Sequence, residues 1–387
     1  MLARTEWTFT LRQTWLAALY FTFSTSAVLF VEPAPYDLLT LLLLVAALAQ
    51  SLLVFSPRVR LPVFFLLIFV GSNLISTFAM QSVPRGLFYL AVTLYLVASW
   101  VFFVGIVSRY QLQALRTIFS GYIVAALISS LCGMLALAKV LPPVYPLLFA
   151  GRISGLFKDP NVFGPFLVVA SLFALLKLET TTALRTRATW LGILCFLLIG
   201  ILLSFSRAAW LNCAASFGIY ILFSEKINFR RLLSIGLAFF LVITLVVVYF
   251  AYNPSAELTF TQRLKLQDYD SERFENQAAA LSESSINPLG FGVGQSEVLL
   301  ARATHSLYLR ILFENGWFGL LAFVGFIGVT FVRSLNLVLT TTGTLRKYHL
   351  LFFAAITGVL VNSLVIDSLH WRHFWFLLAL PWAIYED

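Results

Sequence analysis

Residues 86–107 read GLFYLAVTLYLVASWVFFVGIV, 22 consecutive positions without a charged side chain. At 1.5 Å per residue, a helix of that length is roughly 33 Å long, enough to cross the hydrocarbon core of a bilayer. The same kind of run recurs on both sides of it. N-terminal to it lie 13–31, 36–55 and 61–80. C-terminal to it lie 114–140, 161–178, 188–204, 208–223, 232–252, 305–332, 348–366 and 373–385. The expected fold is therefore all-α, a polytopic membrane protein with about 12 transmembrane helices.

The composition agrees. Of the 387 residues, 60% are hydrophobic and 11% are charged, and the mean hydropathy is +0.91. Soluble domains carry about 25% charged residues, so a single aqueous core could not hide this much apolar surface. The net charge of +9 would suggest nucleic acid in a soluble chain. In a membrane protein it follows from retention of Lys and Arg on cytoplasmic loops, and no nucleic-acid partner is expected. Cys132, Cys195 and Cys213 all lie inside apolar runs, where they read as core filling. The first run has no small-residue cleavage site and reads as a retained span.

The basic residues also set the orientation. With the N-terminus cytoplasmic, the inside loops hold Arg4, Arg12, Arg58, Arg60, Arg109, Arg116, Lys177, Arg185, Arg187, Lys226, Arg230, Arg231, Arg333, Arg346 and Lys347. Only Glu6, Glu179, Glu225, Glu386 and Asp387 join them. Both termini are thus expected in the cytoplasm. Arg85, Lys139, Arg152, Lys158, Arg207, Arg263, Lys265, Arg273, Arg302, Arg310 and Arg372 fall on the outer side, where topology does not require them. Binding an anion is the reason they suggest.

One long polar interruption, 253–304, divides the chain into three parts. Residues 1–252 hold helices one to nine, 253–304 form an extracytoplasmic loop subdomain with an amphipathic stretch near Ser271 to Leu281, and 305–387 hold the last three helices. A shorter outer loop, 141–160, is rich in Pro and Gly.

Four constellations on the outer side carry chemistry. Arg207, in Leu203-Ser204-Phe205-Ser206-Arg207-Ala208-Ala209-Trp210, stands between two apolar runs, either snorkelling to headgroups or facing a water-filled cavity as a phosphate clamp with Ser204 and Ser206. His305 stands where the long loop enters the tenth span. It reads as a general base for a hydroxyl nucleophile or as an interfacial cap. Arg310 and Glu314 follow it at i,i+4 spacing and are expected to pair. Asn287-Pro288-Leu289-Gly290-Phe291-Gly292-Val293-Gly294 is a glycine-rich turn. It lacks the strand of a dinucleotide fingerprint and reads as close backbone approach to a ligand or a neighbouring helix. Asp159-Pro160-Asn161 signals a helix start, with Asn161 as its cap and Arg152 and Lys158 adding positive charge.

Asp268-Tyr269-Asp270 has the spacing of metal-binding Asp-x-Asp sites. Those sites serve nucleotide sugars, which are cytoplasmic, whereas this pair lies outside. No metal and no cofactor are expected. His349 reads as incidental, and His370 and His373, flanking Arg372, as interface anchors or a second anion-binding group.

Arg152 to Asn161, Ser204 to Trp210, Arg273 with the 287–294 turn, and His305-Ser306-Leu307-Tyr308-Leu309 running to Glu314-Asn315-Gly316 together resemble the O-antigen ligase and polymerase family, in the same order across about 150–320. Ser306 departs from the pattern, since many members have Asn after the histidine. The resemblance implies a GT-C-type membrane glycosyltransferase of the bacterial inner membrane, metal-independent and inverting, with its active site facing the periplasm. Its donor would be a glycan on undecaprenyl diphosphate and its acceptor lipid A core or another glycan. The resemblance assigns His305 the catalytic role and Arg207 and Arg273 the donor diphosphate. Arg152 joins those two, and Ser206, Asn161, Gly292, Arg310, Glu314 and Arg372 are supporting candidates. An O-antigen ligase is the leading expectation. The alternatives are a polymerase extending lipid-linked repeat units, a protein O-oligosaccharyltransferase, and a transporter of anionic lipids. A transporter would need no histidine at the mouth of the long loop.

Overall fold

The computed structural model describes residues 2–224, 229–265, 268–300 and 304–384. Glu225, Lys226, Arg302, Glu386 and Asp387 lie outside them, as do the side chains of Arg4, Glu6, Arg230, Arg231, Arg263, Asp268 and Asp270. The described residues form fourteen α-helices and one two-stranded hairpin. The helices are α1 (Leu2–Ser24), α2 (Pro35–Ala49), α3 (Arg60–Ser76), α4 (Val83–Leu137), α5 (Pro160–Thr180), α6 (Leu184–Leu203), α7 (Arg207–Leu222), α8 (Phe229–Tyr252), α9 (Pro254–Leu264), α10 (Asp268–Ile286), α11 (Ser296–Leu299), α12 (Leu307–Thr340), α13 (Gly343–Asn362) and α14 (Arg372–Ala383). The hairpin pairs β1 (Leu148–Phe149) with β2 (Arg152–Ile153).

The protein is an all-α polytopic membrane protein. Seven helical stretches among the described residues are long and apolar enough to cross a bilayer. One of them, α4, is two of the expected runs joined: its 55 residues break at Gln111, whose φ of 49° and ψ of −132° reverse the chain. The Gln111 side chain bonds the Ser108 carbonyl at 2.7 Å. α2, α7 and α14 also fall on expected runs but have only 15, 16 and 12 residues. At 12 residues α14 is roughly 18 Å long, too short to span. It is buried from His373 to Ile384 inside the bundle, so protein rather than lipid sets its length.

Hydrogen bonds and ion pairs sort the helix ends into two groups. At one, here the loop end, the Leu29 amide bonds Leu156 O at 2.9 Å, Lys158 pairs with Glu32 at 2.9 Å, and Arg85 pairs with Glu297. At the other, called the hairpin end for the helical hairpin that α4 makes at Gln111, Ser108 bonds Ala383 O at 3.0 Å, Arg333 bonds Pro381 O at 2.7 Å, and Arg346 bonds Phe223 O at 2.8 Å. α5 is the centre of the bundle, buried at every position from Phe163 to Leu176, as a helix apolar on all faces must be. Its Phe173 stacks on Phe119 of α4 with ring centroids 4.9 Å apart.

Candidate functional site

The site is built on three chain reversals at the loop end. The first joins α6 to α7 in three residues. Phe205 takes a left-handed φ of 46°, which costs an L-residue about 1–2 kcal/mol. Ser206 then caps α7, its Oγ accepting the Ala209 amide at 3.3 Å and donating to Asn161 Oδ1 at 2.7 Å. Arg152, buried at 6% exposure, donates to Ser204 O at 2.9 Å and to Asn161 Oδ1 at 3.1 Å. Arg152, Asn161 and Ser206 thus form one polar knot that holds the reversal. Arg207, the first residue of α7, is half-buried and reaches Lys265 O at 3.3 Å. A cation at a helix N-terminus opposes the helix dipole, so arginine and helix end sum to one positive patch that favours an anion.

The cap of α5 is Asp159 rather than Asn161. Its carboxylate accepts the Asn161 amide at 2.8 Å, and Pro160 occupies the first helical position, where its fixed φ and missing N–H are no loss. Asn161 is thereby released to bridge Arg152 and Ser206.

The second reversal carries His305. Its φ is 48°, again left-handed, and the chain is tethered on both sides of it. Gln277 of α10 donates to Thr304 O at 3.2 Å, and the Leu307 amide donates to Ser363 O at 3.0 Å. The N-cap of α12 is Ser306, without a side-chain cap bond, so the half-buried His305 ring is not the cap. The backbone cost of this region is met by the tethers on both sides of the residue.

The third is the 287–294 turn. α12 breaks at Gly316, with φ 67° and ψ −171°, and the break frees the Phe313 and Glu314 carbonyls. The turn supplies their donors: Phe291 N bonds Phe313 O at 2.9 Å and Gly292 N bonds Glu314 O at 3.0 Å, while Trp317 N bonds Pro288 O at 3.0 Å. Gly290 and Gly316 face each other at this contact, both with positive φ, and a Cβ on either would overlap the opposite backbone. The close approach expected of the glycines is to a helix.

Arg310 and Glu314 do pair, at 3.2 Å, with side chains 5% and 1% exposed. Arg310 also reaches Asp367 at 2.5 Å. Glu314 accepts the Gly294 amide at 2.8 Å and the Ser296 hydroxyl at 2.6 Å. Burial would raise the Asp367 carboxyl, but the Arg310 guanidinium outweighs it and holds Asp367 below the usual carboxylate range. The network locks the glycine turn and the 363–371 loop to α12.

The first two reversals and α10 converge on the end of α13. Gly358 of α13 packs on Asn212 and Ser216 of α7. Five residues further along each antiparallel helix, roughly 7.5 Å, stand Arg207 and Ser363 at one level. Ser363 O holds Leu307, and Val365 O accepts Arg273 Nη2 at 3.3 Å. The elements carrying Arg207, Arg273 and His305 therefore meet around residues 362–365. Arg372 stands elsewhere, in a two-point pair with Asp37 at 3.0 and 2.7 Å that ties α14 to α2. His370 lies beside Thr93 at 3.2 Å, and burial pushes its ring down to about 3.

Three residues not anticipated from the sequence shape the site. Asp367 balances Arg310, Gln277 fixes Thr304, and Gln295 grips the α3–α4 loop through the Gln81 and Ser82 amides at 3.1 and 2.8 Å. Their partners lie 27 to 214 residues away, so no local spacing announces them.

The fold and these reversals define a helical membrane protein with cationic groups and an imidazole gathered at one end of its bundle. Residues 191–324 match the family model described as O-antigen ligase, a segment that runs from α6 through the Arg207 reversal, the glycine turn and His305 into α12. Over those residues the match supports the resemblance to O-antigen ligases and polymerases read from the sequence. None of the curated proteins matches the chain.

Proposed function

We propose that the protein transfers a glycan from undecaprenyl diphosphate to an acceptor hydroxyl at the periplasmic face of the bacterial inner membrane, and that the acceptor is lipid A core. In this reading the loop end faces the periplasm and both termini are cytoplasmic. The observation that carries it is the convergence of the elements bearing Arg207, Arg273 and His305 on the end of α13.

The chemistry follows from the groups. His305 orients the acceptor hydroxyl and takes its proton as the oxygen attacks the anomeric carbon. The bond from that carbon to the diphosphate breaks, and the electron pair leaves with undecaprenyl diphosphate, so the sugar inverts. Arg207 and Arg273 donate to the diphosphate oxygens as charge builds on them, the role a divalent metal plays elsewhere. Arg152, Asn161 and Ser206 act at one remove by fixing the reversal that presents Arg207. Arg310 and Glu314, with Gly292, lock the glycine turn to α12, and Arg372 holds the α2–α14 side of the bundle.

Reconstitution with undecaprenyl-diphosphate glycan, lipid A core and EDTA tests the assignment. Glycan on the core is the expected product. Longer lipid-linked chains in its place would mean a polymerase, and loss of all transfer on chelation would rule out the metal-free mechanism.

A further inference from the structure

We propose a second ligand site, a seat for one anionic phospholipid at the hairpin end, between α3 and α12. A groove of about 680 Å³ opens there, lined by Arg58, Leu61, Val332, Arg333, Leu339 and Trp382 among others. Its volume lies within the roughly 300–1,000 Å³ range of small-molecule sites.

Two guanidinium groups line this one groove, and neither has a carboxylate partner among the described residues. Arg333 is positioned rather than loose. Its Nε donates to Pro381 O at 2.7 Å, and its guanidinium carbon stands 4.9 Å from the centre of the Trp382 ring. One of its terminal nitrogens, Nη2, is buried and has no hydrogen-bond partner. A buried donor left unpaired is costly, and a second cation in the same groove makes the cost larger. Arg58, exposed at the start of the turn before α3, sits at the rim.

The missing partner is an acceptor with negative charge. A phosphate fits, because its oxygens accept from two guanidinium groups at once. The remainder of the lining selects the form of the phosphate. Leu61, Val329, Val332, Leu335 and Leu339 make the groove apolar below its charged rim, so a ligand must carry a hydrocarbon chain beneath its phosphate. A phospholipid of the adjacent leaflet has that shape, and basic pockets between membrane helices are known seats for such headgroups. The site is independent of glycan transfer, since it lies at the other end of the bundle from His305.

Native mass spectrometry of the delipidated, full-length protein tests the seat, with phosphatidylglycerol, phosphatidylethanolamine and inorganic phosphate as probes. The wild type should retain one phosphatidylglycerol about tenfold more tightly than phosphatidylethanolamine. Arg58→Gln with Arg333→Gln should erase that preference, and Arg58→Gln alone, at an exposed position that leaves folding intact, should weaken it. Arg60→Gln, exposed and outside the groove, should change nothing. Equal retention of both lipids, an unaltered preference in Arg58→Gln, or inorganic phosphate competing as well as the lipid would each overturn the proposal.

Discussion

At the scale of single residues, position along the chain was legible and engagement was not. His305 stood out at the mouth of the long loop, and Arg207 and Arg273 stood out as basic residues on the outer side, where topology does not require them. Arg152 and Arg372 stood out for the same reason, yet Arg152 holds Ser204 and Asn161, and Arg372 holds Asp37 from 335 residues away. A long-range partner leaves no local trace in the sequence. The two groups of arginines should therefore fail differently. Arg207→Ala and Arg273→Ala should each lower turnover by about 10²–10³-fold, the usual effect of removing one donor to developing charge, while thermal stability in detergent stays close to wild type. Arg372→Ala leaves the Asp37 carboxylate without its partner and should lower the melting temperature well before it alters the rate constant of surviving enzyme. A variant at Arg207 that melted early and turned over normally would reverse these roles.

At the scale of elements, the i,i+4 spacing of Arg310 and Glu314 correctly announced a pair, because a helix brings such positions together. The break in α12 at Gly316 was not legible. It depends on the 287–294 turn arriving with amides for the freed carbonyls, and those belong to a different segment. Glu314→Ala should destabilise the protein by about 3–5 kcal/mol, the cost of breaking a buried ionic network, read from unfolding in mild detergent. Gly316→Ala should cost at least ~1–2 kcal/mol for its left-handed backbone, with displacement of the Pro288 carbonyl in addition; a fully stable, active Gly316→Ala enzyme would contradict the described contact. The 363–371 loop gives a pH dependence of definite sign. The unfolded His370 ring takes a proton near its ordinary value of 6.5, whereas in the folded loop it stays neutral to about 3. Between those values the unfolded state binds more protons, so stability falls as pH falls. Melting curves at pH 7 and pH 4.5 should show that loss, and His370→Gln should show less of it.

At the scale of the molecule, hydropathy located the helices because the bilayer imposes length and apolarity on nearly every one. It could not give the length of a helix where protein replaces lipid, since α14 is 12 residues long and buried, nor the fold-back at Gln111 that joins two of the expected runs in the 55 residues of α4. The convergence at the end of α13 arises only when α7, α10, α12 and α13 pack, so the sequence could name the participants but not their meeting point.

The central claim is that fixed guanidinium groups hold a diphosphate while His305 activates the incoming alcohol. It is tested most directly by measuring donor binding and single-turnover transfer on the same preparation of His305→Ala. The account predicts that undecaprenyl-diphosphate glycan still binds with near wild-type affinity while transfer to the acceptor is lost. Transfer at a near-normal rate in that variant would contradict it.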